Sequence, residues 1–293
     1  MKKLLFIVNP KAGKTKSSAP LFDAIARFSQ AGYLVRLFIT TQGGDAYQAT
    51  AECGNDYDLV VCAGGDGTLN EVLNGIMQQE KRPAIGYIPN GSTNDFATSL
   101  RLSANPSMAA AAIACGRATH LDVGRFNTRF FAYVASFGAF TKASYSAKQT
   151  AKNLLGHLAY ILEGIGSLDS LHPYRVRAEA DGEVFEGEYI FGAVCNSTSL
   201  GGLVKLDPKK VQMDDGKFEL FLLKMPKNPL DLQNLVSGLA KMRYDTPGII
   251  LRHVEQVTLT TEENIPWSLD GEYVPSSPLV KIENLPGAIT LIR

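Results

Sequence analysis

Leu59-Val60-Val61-Cys62-Ala63-Gly64-Gly65-Asp66-Gly67-Thr68-Leu69-Asn70-Glu71 decides how the chain is read. Five apolar residues in an unbroken run predict a strand buried on both faces. Glycines interrupt it, and Leu69, Val72, Leu73 and Ile76 then recur at helical spacing. Glycines at a strand-to-helix junction let backbone N–H groups approach a ligand closely. The helix N-terminus adds unpaired donors and a partial positive charge suited to phosphate. Thr68 brings a hydroxyl. Asp66 beside phosphates calls for a divalent cation or a ribose hydroxyl nearby. The plain alternative is a glycine turn capped by Asp66 or Thr68.

The same alternation spreads outward from this segment. Leu4 to Val8, Leu34 to Ile39, Asp58 to Ala63 and Ile85 to Ile88 read as strands. Between them lies a helix opened by Pro20, ended by Gly32 and carrying Leu21, Phe22, Ile25 and Phe28 on its inward stripe. An alanine-rich helix from Pro106 to Cys115 follows, and then a strand at Leu121 to Val123. This order predicts a parallel α/β sheet over the first ~120 residues.

Past Val123 the pattern becomes strand after strand. Phe126 to Phe140 reads as a hairpin about Asn127-Thr128, and Asp181-Gly182 as a second hairpin turn. Further runs cover Phe218–Leu223, Ile249–Thr260, Trp267–Val274 and the C-terminal tail, interrupted by helices at about Lys148–Leu168 and Leu230–Met242. A mainly antiparallel second domain, a sandwich, is expected.

Composition narrows the function. The chain has 293 residues, and 29 basic against 29 acidic side chains give zero formal net charge, which argues against a nucleic-acid partner. Cys53, Cys62, Cys115 and Cys195 are widely spaced, and His120, His157, His172 and His253 are scattered. Neither a disulfide framework nor a transition-metal site is expected. The apolar run after Lys2-Lys3 stops at Asn9-Pro10, too short for a secretory segment, and no stretch reaches membrane-spanning length. A cytoplasmic location is expected.

Several segments beyond the glycine loop carry a family likeness. The glycine loop is neither a Walker A sequence nor a Gly-x-Gly-x-x-Gly fingerprint. It resembles the catalytic domain of diacylglycerol kinases, shared with sphingosine and ceramide kinases and related to NAD kinase and phosphofructokinase; within that group the chain is similar to bacterial soluble lipid kinases. Asn9-Pro10-Lys11-Ala12-Gly13-Lys14 matches the family's opening Asn-Pro-x-x-Gly-Lys, and by itself is equally readable as a solvated βα turn. Thr40 falls at the family's nucleotide-contacting threonine, with Thr41 as the fallback. Pro89-Asn90-Gly91-Ser92-Thr93-Asn94-Asp95-Phe96 resembles its Gly-Thr-x-Asn-Asp-Phe loop, with Ser92 in place of threonine and Thr93 at a nucleotide-contacting position.

The resemblance implies a Rossmann-like α/β nucleotide-binding domain at residues 1–122 and a β-sandwich lipid-substrate domain at 123–293, whose C-terminal tail is able to pack back on the first. It implies ATP bound by Asn9 to Lys14, Thr40, Gly64 to Glu71 and Thr93. Asp270-Gly271-Glu272 matches its Asp-Gly-Glu, with Glu272 as the proton acceptor and Asp270 beside it as a second catalytic residue; a hairpin turn is the structural alternative. Asp214-Asp215-Gly216-Lys217-Phe218 matches a segment that holds Mg2+ in similar enzymes, through Asp215 and the carbonyls of Gln212 and Lys217; a polar turn is the alternative here. Asp122 matches an acidic position linking that metal region to Glu272.

The implied activity is Mg2+-dependent transfer of the ATP γ-phosphate to a lipid hydroxyl. Membrane contact is expected to be transient and peripheral, and a homodimer is carried over from similar enzymes. Lys142, Lys148 and Lys152 open an amphipathic stretch to Leu168 that suits anionic headgroups, although a core-packed helix explains it more simply. Competing readings are an NAD kinase and a catalytically silent nucleotide- or lipid-binding module. Phosphofructokinase fits less well, because the second half is strand-rich rather than a second α/β unit.

Overall fold

The computed structural model describes residues 1–13, 19–138, 171–200, 204–206, 211–275 and 277–293. The helix expected at Lys148–Leu168, the basic stretch before it and Lys14 lie outside these residues. The chain divides into two compact units, Met1–Val123 with Pro286–Arg293, and Gly124–Leu285.

The first unit is a parallel sheet. Strands β1 (Lys2–Val8), β2 (Tyr33–Ile39), β3 (Leu59–Gly64) and β4 (Ala84–Pro89) run in the spatial order β4-β3-β1-β2. Residues 286–293 belong to this unit, where Leu291 pairs parallel to Ile85. The registers Phe6 to Val61 and Val61 to Gly86 bring the carboxyl ends of β1, β3 and β4 level with one another. Helices α1 (Ala19–Gln30), α2 (Asp45–Cys53), α3 (Asp66–Ile76), α4 (Asp95–Ser99) and α5 (Pro106–Cys115) connect them.

Alternation assigns the faces of this sheet. Leu4, Phe6, Val8, Leu59 and Val61 form one buried cluster with Ala24 and Phe28 of α1 and Ala109, Ala110 and Ile113 of α5. Leu5, Ile7, Val60 and Cys62, pointing the other way, are buried too. That double burial is why β1 and β3 read as continuous apolar runs. The inward stripe of α1 is narrower than expected, since Phe22 is 69% exposed. With Ala24 and Phe28 fixed inward at i and i+4, residue 22 is rotated off the buried face.

The second unit is antiparallel. Its strands include β7 (Val134–Gly138), β8 (Tyr174–Ala180), β9 (Glu183–Cys195), the short β10 (Ser199–Leu200) and β11 (Val204–Lys205), β12 (Phe218–Lys224), β13 (Ile249–Val254), β14 (Gln256–Thr261), β15 (Trp267–Leu269) and β16 (Glu272–Val274). The thirteen-residue β9 pairs with β8, β7 and β12. Strand β8 alternates strictly, with Tyr174, Val176, Ala178 and Ala180 inside and Arg175, Arg177 and Glu179 outside, as a sheet solvated on one face requires. Trp267 anchors the sandwich core, its ring 5.0 Å from Phe126 and 4.9 Å from Phe137. The run Ile249–Thr260 is two strands rather than one, broken at Glu255. Trp267–Val274 is likewise a hairpin, folded at Asp270-Gly271. Helix α6 (Pro229–Ala240) starts at Asn228, whose side chain accepts from Asp231 N–H.

Two strands run through both units. β5 (Ala118–Phe126) pairs with the short β6 (Arg129–Phe131) across Asn127, and β17 (Leu279–Ile292) pairs with β14. The hairpin expected about Asn127-Thr128 is therefore present, though much shorter than Phe126 to Phe140. No described helix is long and apolar enough to cross a membrane.

Candidate active site

In the first unit, three loops at the carboxyl ends of β1, β3 and β4 close on one another. A Cβ on Gly13 would stand 2.3 Å from Asn90 O, and a Cβ on Gly91 would stand 2.6 Å from Gly65 Cα. Real side chains do not fit at such distances, so the glycines are where the loops touch. Asparagine amides tie the contacts together. Asn9 Nδ2 donates to Thr68 Oγ1 at 2.9 Å, Asn90 Nδ2 donates to Ala12 O at 3.1 Å, and Asn90 N–H donates to Gly64 O at 2.7 Å. This is the end of the sheet where open α/β folds bind ligands.

The first turn of α3 opens into this cradle. Gly65, extended at φ −90° and ψ −176°, brings no side chain to cap it, and the first helical hydrogen bond runs from Leu69 N–H to Gly65 O. Neighbouring helices are closed by acceptors. Asn105 caps α5, accepting from Ser107 and Met108, and Asp66 accepts from Asp95 N–H at the start of α4. A helix start without a side-chain cap, set in a glycine cradle, is chemically suited to an anion.

The residues expected to bind nucleotide divide here. Asn9, Pro10, Lys11, Ala12 and Gly13, with Gly64 to Thr68, form the cradle, and Thr93 is exposed on the 90–95 loop. Leu69 and Asn70 are buried in the packing of α3, because the helical period turns them away from its open end. Glu71 accepts from Gly44 N–H at 2.9 Å and Ala46 N–H at 3.1 Å, and so caps α2. Thr40 is buried, with its hydroxyl on Val8 O. Lys11 Nζ donates to Thr41 O, and Asp45 accepts from the Thr41 N–H and hydroxyl and from Gln42 N–H. Lys11, Asp45 and Glu71 thus hold the 40–46 loop in shape.

Asp66 and Asp95 meet at the cradle: Asp66 Oδ2 accepts from Asp95 N–H at 3.1 Å, the Tyr87 hydroxyl donates to Asn94 Oδ1 at 3.3 Å, and Asp95 is only 7% exposed. Burial pushes the Tyr87 phenol well up, with the charges of Asp66 and Asp95 adding to the effect. Sequence reasoning quoted Asp95 within its motif and gave it no role. Its pairing with Asp66 depends on how the loop after β4 folds over α3, which no spacing reveals. Asp122 is buried on β5 and accepts from Gly287 N–H at 2.8 Å, an anchor for the C-terminal strand.

The second unit holds the other acidic motifs. Glu272 is exposed at the start of β16. Asp270, two residues earlier, is 2% exposed and accepts from Ala132, Tyr133 and Val134 N–H at 2.6, 3.0 and 3.0 Å. Gln212, Asp215 and Lys217 lie on an exposed turn in which Asp215 Oδ1 accepts from Lys217 N–H. Among the described residues no three His, Cys, Asp or Glu side chains gather as a metal cluster. Just after the turn, Glu219 is buried on β12 between Cys195 and His253 on the flanking strands, with His253 Nδ1 at 3.5 Å. Burial, with the negative charge of Asp215 adding to it, pushes its carboxyl up to about 8. The alternation of β12 predicts which face Glu219 takes, not that it is enclosed there.

Known proteins resemble this chain over nearly its whole length. Residues 3–126 match the diacylglycerol kinase catalytic domain, and residues 134–293 match the YegS C-terminal NAD kinase beta sandwich-like domain. The diacylglycerol kinase of Bacillus subtilis is 36% identical over 275 residues, covering 93% of this chain and 90% of that protein. That of Staphylococcus carnosus is 33% identical over 274 residues, with 93% and 89% covered. A crystal structure of a diacylglycerol kinase from Bacillus anthracis superposes with a TM-score of 0.76 at 26% identity, covering 99% of this chain and 96% of that one. With both domain models matched and these relatives aligned almost end to end, the chain belongs to the diacylglycerol kinase family and is a lipid kinase.

Proposed function

We propose that this chain transfers the γ-phosphate of ATP to the free hydroxyl of diacylglycerol or a closely related lipid. The observation that carries the donor half is the open first turn of α3, set in a cradle where Gly13, Gly65 and Gly91 leave room for backbone alone. Phosphoryl transfer asks a protein for positioning and for neutralisation of charge on the phosphates. The α3 N–H groups and the loop around Lys11 supply donors, and Thr68 adds its hydroxyl. The relatives' shared name supports the lipid acceptor.

On the acceptor side, Glu272 takes the proton from the lipid hydroxyl as its oxygen bonds to the γ-phosphorus. The bond from that phosphorus to the β–γ bridging oxygen breaks, and ADP leaves. Exposure of Glu272 at a hairpin end suits a group that must meet a bulky substrate.

The donor chemistry also fits magnesium, which when bound would neutralise phosphate charge. Asp66 would offer its carboxylate from within the cradle, and on the 212–217 turn the Asp215 carboxylate with the Gln212 and Lys217 carbonyls would offer hard oxygen donors of the kind Mg2+ selects. We further propose transient contact with the membrane surface, where such acceptors reside, and a homodimer by likeness to similar enzymes. Balanced charge supports the absence of a nucleic-acid partner.

The test is transfer of labelled γ-phosphate from ATP in magnesium buffer to diacylglycerol in mixed micelles, with NAD in a parallel reaction. Label in the lipid is the expected result. Label in NAD alone, or in neither acceptor while ATP still binds, would overturn the proposal.

A further inference from the structure

Asp270 was expected to act beside Glu272 in the chemistry, and its surroundings give it another task. Its carboxylate is enclosed and engaged by three consecutive backbone N–H groups, of Ala132, Tyr133 and Val134. Its own N–H donates to Val134 O at 2.9 Å, so side chain and backbone both grip the same short segment. An ionised carboxylate is an acceptor only, and three charge-assisted bonds in a buried setting occupy it with structure rather than leave it to meet substrate.

That segment leads directly into β7, and β7 pairs with β15 through Ala135 with Leu269, Ser136 with Ser268 and Phe137 with Trp267. Asp270 and Gly271, at φ 49° and 90°, form the two-residue turn that sends the chain back as β16. Both residues are left-handed, the geometry of a type I′ hairpin, which places Glu272 directly opposite Leu269. β16 is three residues long and lies at the edge of its sheet, so little else fixes its first residue.

We propose that Asp270 is a positioning residue, which locks the hairpin turn onto residues 132–134 and thereby sets where the Glu272 carboxylate stands. This rests on the reading of Glu272 as the proton acceptor. Asp270→Asn keeps one acceptor oxygen and turns an amide N–H2 toward a backbone N–H, so the turn loses its lock. Gly271→Ala leaves the Asp270 carboxylate intact and meets no neighbouring atom within 4 Å, yet places a side chain at φ 90°, which strains the turn alone.

The experiment is a mutant cycle read by kcat and by KM for ATP, using transfer to diacylglycerol in mixed micelles. Asp270→Asn and Gly271→Ala each lower kcat, by about 10²-fold for a carboxylate displaced by about 1 Å, with KM for ATP unchanged. Neither lowers it further in the Glu272→Gln background, because the group they position is already gone. If Asp270→Asn reduces the residual single-turnover rate of Glu272→Gln by the same factor again, Asp270 acts on its own and the proposal is overturned. Full activity of Asp270→Asn overturns it equally. Should Asp270→Asn fail to fold, Gly271→Ala in both backgrounds decides the question. Near-normal turnover of Glu272→Gln alone would instead reject the proton-acceptor assignment, a separate failure.

Discussion

Asn9 and Thr68, 59 residues apart, are joined side chain to side chain at 2.9 Å. Asn9 directly follows β1 and Thr68 lies in the first turn of α3, so this bond fixes the opening loop against the glycine cradle. Asn9 Oδ1 also accepts from Lys11 N–H, holding the turn that follows. Asn9→Ala should cost about 1 kcal/mol in unfolding free energy. It should also raise KM for ATP several-fold, measured by initial rates at saturating lipid. An unchanged KM would mean that the two loops hold their spacing without the bond.

Glu71 supports the donor site from behind. Its carboxylate closes the start of α2 at Gly44 and Ala46, and a gain of one amide N–H2 there would face a backbone donor. Glu71→Gln should lose about 1–2 kcal/mol of stability, in the range of a lost helix cap. KM for ATP should rise while kcat at saturation holds within a few-fold. A collapse in kcat at unchanged KM would show Glu71 acting on the reaction itself.

The approach of Gly91 to Gly65 sets how closely the 90–95 loop covers α3. A methyl group at position 91 would stand 2.6 Å from Gly65 Cα and 2.7 Å from Asn94 Oδ1, and because the Gly65 backbone has no side chain to swing aside the loops must part. Gly91→Ala should weaken ATP binding by at least about tenfold, or ~1.4 kcal/mol. Calorimetric titration with ATP checks this, and wild-type affinity would show that the contact lies away from the donor site.

Asp45 gives the 40–46 loop a dependence on acid. The Thr41 N–H, the Thr41 hydroxyl and the Gln42 N–H hold its carboxyl below the usual range. A group depressed in the folded state stabilises fully above its unfolded value and loses that contribution as pH falls through its folded value. Asp45→Asn should therefore lower the midpoint of urea unfolding at neutral pH. The difference from the wild type should shrink as the pH is lowered below the ordinary aspartate range, and a constant difference would count against the bonding seen here.

Much of this was legible in the residues. The β1, β3 and β4 strands announce themselves as apolar runs because both their faces are buried, and Pro106 marks the start of α5. Short α2 leaves no signal in the sequence: Ala46, Ala49 and Thr50 are its buried residues, too small to make an apolar stripe, and its cap comes from Glu71 on another helix. The Asp270-Gly271 hairpin was legible as an alternative, yet the enclosure of Asp270 by residues 132–134 is a contact between segments more than 130 residues apart. Local spacing carries no trace of such a contact. The same holds for the Asp66–Asp95 pair and for the burial of Glu219. Motifs single out segments; the long-range fold decides which of their side chains stay exposed and which are tied into distant backbone.

The central claim is that the chain moves phosphate to a lipid hydroxyl with Glu272 accepting the proton. The most direct measurement is transfer of labelled γ-phosphate from ATP to diacylglycerol by the wild type and by Glu272→Ala, with ATP affinity determined for both. We expect label in the lipid with the wild type, at least a 10²-fold loss of turnover in the variant, and equal ATP affinity. Near-normal turnover in Glu272→Ala, or no label in the lipid from a wild type that binds ATP, would contradict the account.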